Sequence, residues 1–205
     1  MYLLLKSYFD CFFAILILLL TLPLNIIIIL FILIFEGKPI FFKQKRAGFK
    51  GRSFFMYKYR SMNNKLGVDG ELLSDKKRIT PLGNFLRKTS LDELPNLINV
   101  IKGEMSIIGP RPLPMKYIPL YSKQQMRRQL LKPGITGLAQ VKGRNLLSWE
   151  ERFKLDVVYI EKISFFLDLI ILFQTFFITI RKKGISSETS VTMEEFKGNF
   201  ETESK

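Results

Sequence analysis

Residues 11–35 read CFFAILILLLTLPLNIIIILFILIF and carry no charged side chain. As one straight helix, this run would reach roughly 37 Å, which exceeds the roughly 30 Å hydrocarbon core of a membrane. A cleaved signal peptide is disfavoured, because the apolar stretch is too long and no small-residue cleavage site follows it. We therefore predict that residues 1–36 form a membrane anchor.

The middle of this anchor contains Thr21, Pro23 and Asn25. Pro23 removes a backbone hydrogen bond and can kink the helix. A spanning helix would leave the N-terminus outside and the basic residues that follow the anchor in the cytoplasm; it is favoured by the residues alone, because prolines occur in ordinary membrane helices. A helix broken near Pro23 could instead dip into one leaflet and return, keeping Lys6 on the side of that basic cluster. Both topologies predict a cytoplasmic location for the rest of the chain.

The composition excludes several kinds of chemistry. The 205 residues suffice for one cored domain with an appendage, and they include one cysteine, Cys11, and no histidine. An intramolecular disulfide, a multi-cysteine zinc site and catalysis by Ser-His-Asp, Cys-His or imidazole groups are therefore excluded. Carboxylates, lysines, arginines, tyrosines and hydroxyls remain, and Mg²⁺ is the metal that suits carboxylate and phosphate oxygens best.

The charge is strongly positive, with 32 Lys and Arg against 18 Asp and Glu, a net charge of +14. Such an excess indicates an anionic partner. Nucleic acid, phosphate-bearing metabolites and acidic membrane surfaces all satisfy this requirement.

Two adjacent carboxylates stand out in residues 87–96, which read RKTSLDELPN. The spacing predicts a capping box in which Ser90 is the N-cap and Glu93 its partner, with Asp92 in the first turn, where the helix dipole favours negative charge. The same place favours bound phosphate. An ionised carboxylate beside phosphate is what a nucleophile attacking a phosphoryl group needs. The alternative is that Ser90 and Glu93 are only a helix cap.

The remaining sequence predicts a mainly α fold with a small β-hairpin. The predicted strands, surface loop and helices are, in order, 40–43, 53–59, 65–77, 81–87, 91–102, 117–131, 149–161 and 165–180. Helix 117–131 is basic, with Lys123, Arg127 and Arg128 on its surface. Helix 165–180 would reach about 24 Å, short of a membrane crossing, which favours an interfacial or core position.

A glycine-rich turn at residues 133–137 leads to Lys142, Gly143 and Arg144. Glycines let backbone amides approach a phosphate closely, and Lys142 or Arg144 could complete the charge. Most turns of this kind are only turns, so the pattern is a weak signal by itself.

Five blocks, in order, resemble the bacterial sugar transferases, the monotopic polyprenyl-phosphate phosphoglycosyl transferases that start cell-surface glycan and glycoprotein assembly. The blocks are FKQKRAG (42–48), YKYRSM (57–62), SLDELP (90–95), GEMSIIGPRP (103–112) and KPGITGLAQVKGR (132–144). The small size of the chain is most similar to the minimal members, which lack additional membrane helices.

The resemblance implies transfer of a sugar 1-phosphate from a UDP-sugar to polyprenyl (undecaprenyl) phosphate, with release of UMP, through an aspartyl-phosphosugar intermediate. It implies that Asp92 is the nucleophile, that Glu93 is its catalytic partner and that the pair helps to hold Mg²⁺. The implied substrate-binding residues are Lys58, Arg60, Arg87, Arg111, Gly143 and Arg144. The donor favoured by likeness to the minimal subgroup is N-acetylated or of the bacillosamine type.

The resemblance also implies an architecture. Residues 1–36 would form a re-entrant membrane helix, residues 37–184 a cytoplasmic α/β catalytic domain with amphipathic interfacial helices, and residues 185–205 a polar tail. The family breaks its re-entrant helix at a Ser-Pro pair, whereas this chain has Leu22-Pro23. Thr21 could replace the serine hydroxyl, or the break could rest on Pro23 and Asn25.

Two alternatives remain open. The first is an ordinary membrane glycosyltransferase, which would release UDP. The second is a basic membrane adaptor or nucleic-acid binder, which would have no catalytic activity. Without a recognised nucleic-acid motif, we expect no nucleic-acid partner. The expected partners are a UDP-sugar, polyprenyl phosphate and membrane lipids, and a homodimer is left open. The expected location is the cytoplasmic face of a bacterial inner membrane.

Overall fold

The computed structural model describes residues 2–67, 69–143, 146–181 and 195–198, so most of the predicted tail lies outside the described residues. The predicted mainly α fold with a small hairpin is confirmed. In chain order the α-helices and strands are α1 (Tyr2–Leu20), α2 (Leu22–Phe35), β1 (Phe41–Ala47), β2 (Ser53–Tyr59), α3 (Asp75–Arg78), α4 (Pro81–Thr89), α5 (Asn96–Ile101), β3 (Ser106–Ile108), α6 (Lys123–Met126), β4 (Gly134–Thr136), α7 (Leu138–Lys142), α8 (Trp149–Lys162) and α9 (Phe165–Arg181).

The apolar segment is broken into two helices at Thr21. The Thr21 hydroxyl donates to the carbonyl of Ile17 at 2.7 Å, and the Asn25 amide donates to the Thr21 carbonyl and hydroxyl at 2.9 and 3.0 Å. The Tyr59 hydroxyl of β2 donates to the Asn25 side-chain oxygen at 2.7 Å. Thr21 and Asn25 thus satisfy the polar groups at the break, beside Pro23 in the first turn of α2.

Helices α1 and α2 pack on the rest of the chain along one face only. Ala14 of α1 is buried in a cluster with Phe54 and Leu97, while Ile28 and Ile32 of α2 are buried against Tyr59. Their other faces expose large apolar side chains. Among the described residues, α1 is the one helix whose length and composition suit a membrane crossing, and α2 and α9 are apolar but shorter.

The N-terminal end of α1 is tied to the domain by a buried polar cluster, the N-terminal latch, formed by Tyr2, Lys6, Asp10, Ser106, Tyr159 and Asp168. The Lys6 ammonium lies 2.8 Å from Asp168 and 3.6 Å from Asp10. Asp168 also accepts hydrogen bonds from the hydroxyls of Tyr2 at 2.6 Å and Tyr159 at 2.7 Å. Ser106 of β3 donates to Asp10.

The far end of α2 is tied to the same domain. The Arg60 guanidinium donates to the carbonyls of Glu36, Gly37 and Lys38, the last two at 2.7 and 2.9 Å. The Glu36 carboxylate accepts a hydrogen bond from the Thr80 hydroxyl and lies 3.6 Å from Arg60. Both ends of the α1–α2 pair therefore contact one domain.

Two small sheets shape the domain. Strands β1 and β2 form the predicted antiparallel hairpin, in register from Phe41 opposite Tyr59 to Ala47 opposite Ser53, so the first strand extends four residues beyond its predicted end. Strand β3 pairs in parallel with β4. This second sheet was not predicted, because three-residue strands flanked by Gly and Pro give no pattern of alternation.

Close backbone approach explains the glycines of the second sheet. A Cβ added to Gly134 would lie 2.1 Å from the amide nitrogen of Gly109, and one added to Gly109 would lie 2.5 Å from the carbonyl oxygen of Lys132. The Gly109 amide donates to the Thr136 carbonyl at 2.9 Å. These contacts fix the start of the Pro-rich loop that carries Arg111.

The predicted basic helix 117–131 is wrong. The chain forms a 3₁₀ turn at Met115–Leu120, α6, and a second 3₁₀ turn at Arg127–Leu130. Pro119 lies inside the first turn and cannot donate a helical hydrogen bond. Arg128, predicted on the surface, is buried with two hydrogen bonds to Asp156 at 3.0 and 2.9 Å. Its place in the core depends on a carboxylate distant in sequence.

The two last predicted helices are confirmed as α8 and α9. Helix α8 starts with a capping box between Ser148 and Glu151. Helix α9 buries Ile171 but leaves Phe166 and Phe176 exposed, at 75% and 62% of their surface. This one-sided burial suits a helix that lies at an interface.

Candidate active site

The two adjacent carboxylates lie in a tight turn between α4 and α5. Ser90 has φ 57° and ψ 16°, in the left-handed region, and closes the end of α4 through its backbone amide. The predicted capping box is therefore wrong, since the Ser90 side chain makes no cap hydrogen bond. Residues Leu91–Glu93 form one 3₁₀ turn, and the predicted helix 91–102 begins only at Asn96. A residue in the left-handed region is typical of a helix C-terminus. The sequence pattern at Ser90 instead indicated a helix N-terminus.

Glu93 is held by two cations. The ammonium of Lys58, on β2, lies 2.5 Å from the Glu93 Oε1 atom, and the guanidinium of Arg111 lies 3.0 Å from the same oxygen. Burial raises the pKa of Glu93, but Lys58 and Arg111 outweigh burial and hold this pKa well below its usual range. Glu93 is therefore ionised at neutral pH.

Asp92 has a different environment. The residue is buried, at 7% exposure, and its carboxylate lies 4.0 Å from the Lys58 ammonium. Burial raises the pKa of Asp92, Glu93 raises it further, and Lys58, Arg87 and Arg111 oppose the rise. Within the described residues, no group donates a hydrogen bond to this carboxylate. Asp92 lies in the first turn of the 3₁₀ segment, so its expected stabilisation by a helix dipole stays a prediction. The nearby cations Lys58, Arg87 and Arg111 are what favour the ionised form.

The structure brings together only part of the predicted substrate-binding set. Lys58 and Arg111 contact Glu93, and Arg87 is close enough to lower the pKa of Asp92 while its Nε donates to the Ser61 hydroxyl at 2.9 Å. Arg60 is directed away, to the end of α2, because three backbone carbonyls occupy its donors.

The last predicted block makes no hydrogen bond or ion pair with Asp92 or Glu93 in the described part of the chain, although the Gly134 amide donates to the Pro110 carbonyl beside Arg111. Gly143 follows α7, and a Cβ at this position would lie 2.7 Å from the Leu147 side chain, which gives the glycine a packing reason. Arg144 lies outside the described residues. The role of the glycine-rich block toward phosphate stays a prediction.

Two further arginines, Arg46 and Arg152, were not predicted at the site. Burial is the main cause that lowers the pKa of Arg46 and of Arg152 to about 10 each, and repulsion from Arg111 is the second cause. Arg46 reaches this place because β1 pairs with Pro114 of the Arg111 loop, and Arg152 because α8 buries one face. Arg46 belongs to the basic cluster visible in the sequence. No sequence feature marked Arg152 as a site residue beyond its position in the predicted helix 149–161. Buried like charges of this kind favour an anionic ligand.

An apolar groove of about 410 Å³ reaches Pro95, close in sequence to the two carboxylates. It is formed by α1 and α2 on both sides of their break, by Phe41 and Tyr59 of the hairpin, and by Pro95, Ile98 and Ile101. Pro95 lies two residues after Glu93. The groove therefore extends from α1 and α2 toward the carboxylate turn.

The two carboxylates of this turn fit Mg²⁺ as part of a ligand set that also includes phosphate and water. Among the described residues there is no group of three or more carboxylate, cysteine or histidine side chains that could enclose a metal ion. Mg²⁺ is commonly held by one or two carboxylates together with substrate phosphates and water. Asp92 and Glu93 match that donor set, provided that a bound phosphate supplies the remaining oxygens.

Comparison with known proteins defines the class. The family description "Bacterial sugar transferase" matches residues 1–182. The chain is 46% identical over 200 residues to the uncharacterized sugar transferase EpsL of Bacillus subtilis, covering 98% of this chain and 99% of that protein. It is 37% identical over 197 residues to the undecaprenyl-phosphate galactose phosphotransferase of Salmonella typhimurium, covering 88% of this chain and 41% of that protein. It is 40% identical over 186 residues to the UDP-glucose:undecaprenyl-phosphate glucose-1-phosphate transferase of Escherichia coli, covering 85% and 40%.

The fold and site thus define a protein with an apolar N-terminal helix pair and a paired-carboxylate turn. The chain belongs to the bacterial sugar transferase family. It spans nearly all of the Bacillus relative and about two fifths of the Salmonella and Escherichia relatives, which are longer.

Proposed function

We propose that this chain is a polyprenyl-phosphate phosphoglycosyl transferase that moves a sugar 1-phosphate from a UDP-sugar to undecaprenyl phosphate and releases UMP. The observation that carries the proposal is the contrast within one turn: Glu93 is neutralised by Lys58 and Arg111, whereas Asp92 has no hydrogen-bond donor among the described residues. The names of the Salmonella and Escherichia relatives support a lipid carrier and a sugar phosphate as substrates.

In the first step, an oxygen of the Asp92 carboxylate attacks the phosphorus that carries the sugar. The bond between this phosphorus and the bridging oxygen breaks, and UMP leaves with that oxygen and its electron pair. The product is an aspartyl-phosphosugar. Lys58 and Arg111, which already balance Glu93, and the nearby Arg87 offset the negative charge that gathers at the transferring group.

In the second step, a phosphate oxygen of the lipid acceptor attacks the same phosphorus. The bond to the Asp92 oxygen breaks, which restores the carboxylate and leaves a polyprenyl-diphosphate sugar. No proton transfer by histidine is needed, in agreement with a chain that has none. Asp92 and Glu93 would hold Mg²⁺, which supplies further neutralisation of phosphate charge when bound.

We further propose that α1 and α2 form a re-entrant hairpin. Lys6 at the start of the pair contacts Asp168, and Glu36 at its end contacts Arg60, so both polar ends contact one domain. A straight crossing would separate these ends by the full hydrocarbon thickness. The domain then lies on the cytoplasmic side, where the basic residues after the anchor favour it.

The 410 Å³ groove is our proposed site for the first isoprene units of the acceptor. Its walls are apolar side chains of α1, α2 and α5, and one end reaches the carboxylate turn through Pro95. An isoprenoid chain in this groove would bring its terminal phosphate toward Asp92.

The donor sugar is open within this proposal. The relatives are named for galactose and glucose, while the small size of the chain favours an N-acetylated or bacillosamine-type sugar by resemblance. The test is to incubate the full chain in detergent or nanodiscs with Mg²⁺, undecaprenyl phosphate and each UDP-sugar. We expect UMP release with one donor class. UDP as the nucleotide product would refute phosphosugar transfer and favour an ordinary glycosyltransferase.

A further inference from the structure

A second cavity, of about 920 Å³, opens where α2 ends and the chain turns into the polar domain. Its apolar wall includes Phe31, Phe35 and Leu82, and its polar rim includes Lys38, Lys65 and Lys77. None of the residues that surround the carboxylate pair, Lys58 and Arg111 among them, lines this cavity. It is therefore separate from the candidate active site, and we call it the α2-end pocket.

The apolar wall is built for contact with hydrocarbon. Phe31 and Phe35 stand one helical turn apart with ring centroids 5.6 Å apart, and they expose 46% and 69% of their surface. They close the apolar run of α2, directly before the polar residues 36–38. If α2 lies in the membrane, this wall lies at the boundary between acyl chains and headgroups.

The polar rim carries positive charge that the protein does not balance. Lys38, Lys65 and Lys77 are exposed, and none of them has an ion-pair partner in the part of the chain that the structure describes. Glu36, the carboxylate in the pocket, is already engaged by Arg60 and by Thr80. The pocket therefore presents three uncompensated cations above an apolar wall.

We propose that the α2-end pocket binds an anionic phospholipid of the surrounding membrane. The headgroup phosphate would lie among Lys38, Lys65 and Lys77, and an acyl chain would lie along Phe31 and Phe35. Juxtamembrane lysines attract anionic lipids in this manner, each with a contribution near 1 kcal/mol, or about a fivefold change in affinity. The acceptor polyprenyl phosphate is not the occupant, because its phosphate has to reach Asp92, which does not line the pocket.

The binding has a structural consequence. Arg60 joins the carbonyls of residues 36–38 to β2, so a lipid held at Lys38 would fix the point where the membrane helix enters the domain. The site depends on the membrane position of α2 and not on the reaction. Loss of catalysis would leave it intact.

The test uses the full chain in phosphatidylcholine nanodiscs that contain a photoreactive phosphatidylglycerol. We expect saturable labelling of peptides that contain Phe31, Phe35 or residues 77–82, with competition by unlabelled phosphatidylglycerol and not by phosphatidylcholine. The variant Lys38→Gln/Lys65→Gln/Lys77→Gln should lower this labelling at least about fivefold. These lysines are exposed, so the fold should be preserved.

A matched control removes the same charge elsewhere. Lys76→Gln/Lys123→Gln/Lys154→Gln changes three exposed lysines that do not line the pocket, and it should alter the labelling less than about twofold. Equal losses in the two variants would show a general charge effect and overturn the proposal. Competition by undecaprenyl phosphate alone would also overturn it, because the pocket would then hold the acceptor.

Discussion

The N-terminal latch and the carboxylate turn are two buried ionic clusters of one small domain, and they differ in how their carboxylates are satisfied. In the latch, Asp168 receives hydrogen bonds from two tyrosines and an ion pair from Lys6 at 2.8 Å. At the turn, Asp92 has a lysine at 4.0 Å and no hydrogen-bond donor among the described residues. A saturated cluster fixes structure, whereas an unsaturated carboxylate is available to react.

The largest expected effect is the loss of activity when the carboxylate of Asp92 is replaced, because only the carboxylate turn takes part in the reaction. Asp92→Asn should reduce UMP release by at least about 10⁴-fold, because the amide cannot act as the nucleophile. A steady-state assay of UMP release measures it. Asp168→Asn, in the N-terminal latch, is a control for loss of a buried acid elsewhere, and its folded fraction should keep most of the activity. Substantial activity of Asp92→Asn would assign the nucleophile to another group.

The same variant should also be more stable than the parent chain at neutral pH. Burial raises the pKa of Asp92, so the folded state favours the protonated carboxyl, and the resulting stabilisation is lost as the pH rises through the folded-state pKa. The neutral amide of the Asp92→Asn variant avoids the cost of the buried charge. Thermal unfolding at several pH values should show a gain at pH 7 that shrinks in acid, and a gain independent of pH would contradict the account.

Substitutions in the N-terminal latch should change the stability of the protein and not its catalytic rate. Lys6→Met leaves Asp168 without its cation and should lower the free energy of unfolding by about 3 kcal/mol. The double variant Lys6→Met/Asp168→Asn removes both charges and should recover most of that loss. Chemical denaturation in detergent measures the stability, with kcat determined on the folded protein. A large loss of kcat at full stability would show that the latch takes part in catalysis.

A smaller effect is expected for Lys58, which joins the two carboxylates. Lys58→Met should lower kcat/KM about tenfold at neutral pH and move the acid limb of its pH profile to higher pH, because Lys58 lowers the pKa of Asp92. Lys45→Met, which changes an exposed lysine of β1, should leave the acid limb in place. An unchanged limb in Lys58→Met would mean that Asp92 does not control it.

Sequence patterns predicted the hairpin and the helices α8 and α9 because each has a local signal. The break of the apolar N-terminal segment was one of two alternatives from the residues, and only the family resemblance favoured it. They did not predict the β3–β4 sheet, the burial of Arg128 against Asp156 or the arrival of Arg46 near Arg111, since each depends on residues distant in the chain. The prediction at Ser90 failed for a different reason. Its spacing to Glu93 fits a capping box, but its left-handed backbone ends the preceding helix.

The catalytic and binding roles of the predicted site residues stay predictions, whereas their grouping can be compared with the structure. Asp92, Glu93, Lys58 and Arg111, which come from three of the five sequence blocks, lie near one another. Arg87, which lies outside the blocks, is close to Asp92. Arg60 was misplaced because a sequence block does not tell which way a side chain leaves the end of a strand, and its guanidinium closes the end of α2.

The most direct test of the central claim is to trap the phosphosugar on Asp92. The full chain is mixed with Mg²⁺ and the active UDP-sugar without lipid acceptor, and intact-protein mass spectrometry is followed by peptide mapping. The account predicts a mass gain of one phosphosugar on the peptide that contains Asp92, with matching UMP release, and loss of the adduct when undecaprenyl phosphate is added. Absence of the adduct, with UMP formed only when the acceptor is present, would contradict a covalent aspartyl intermediate.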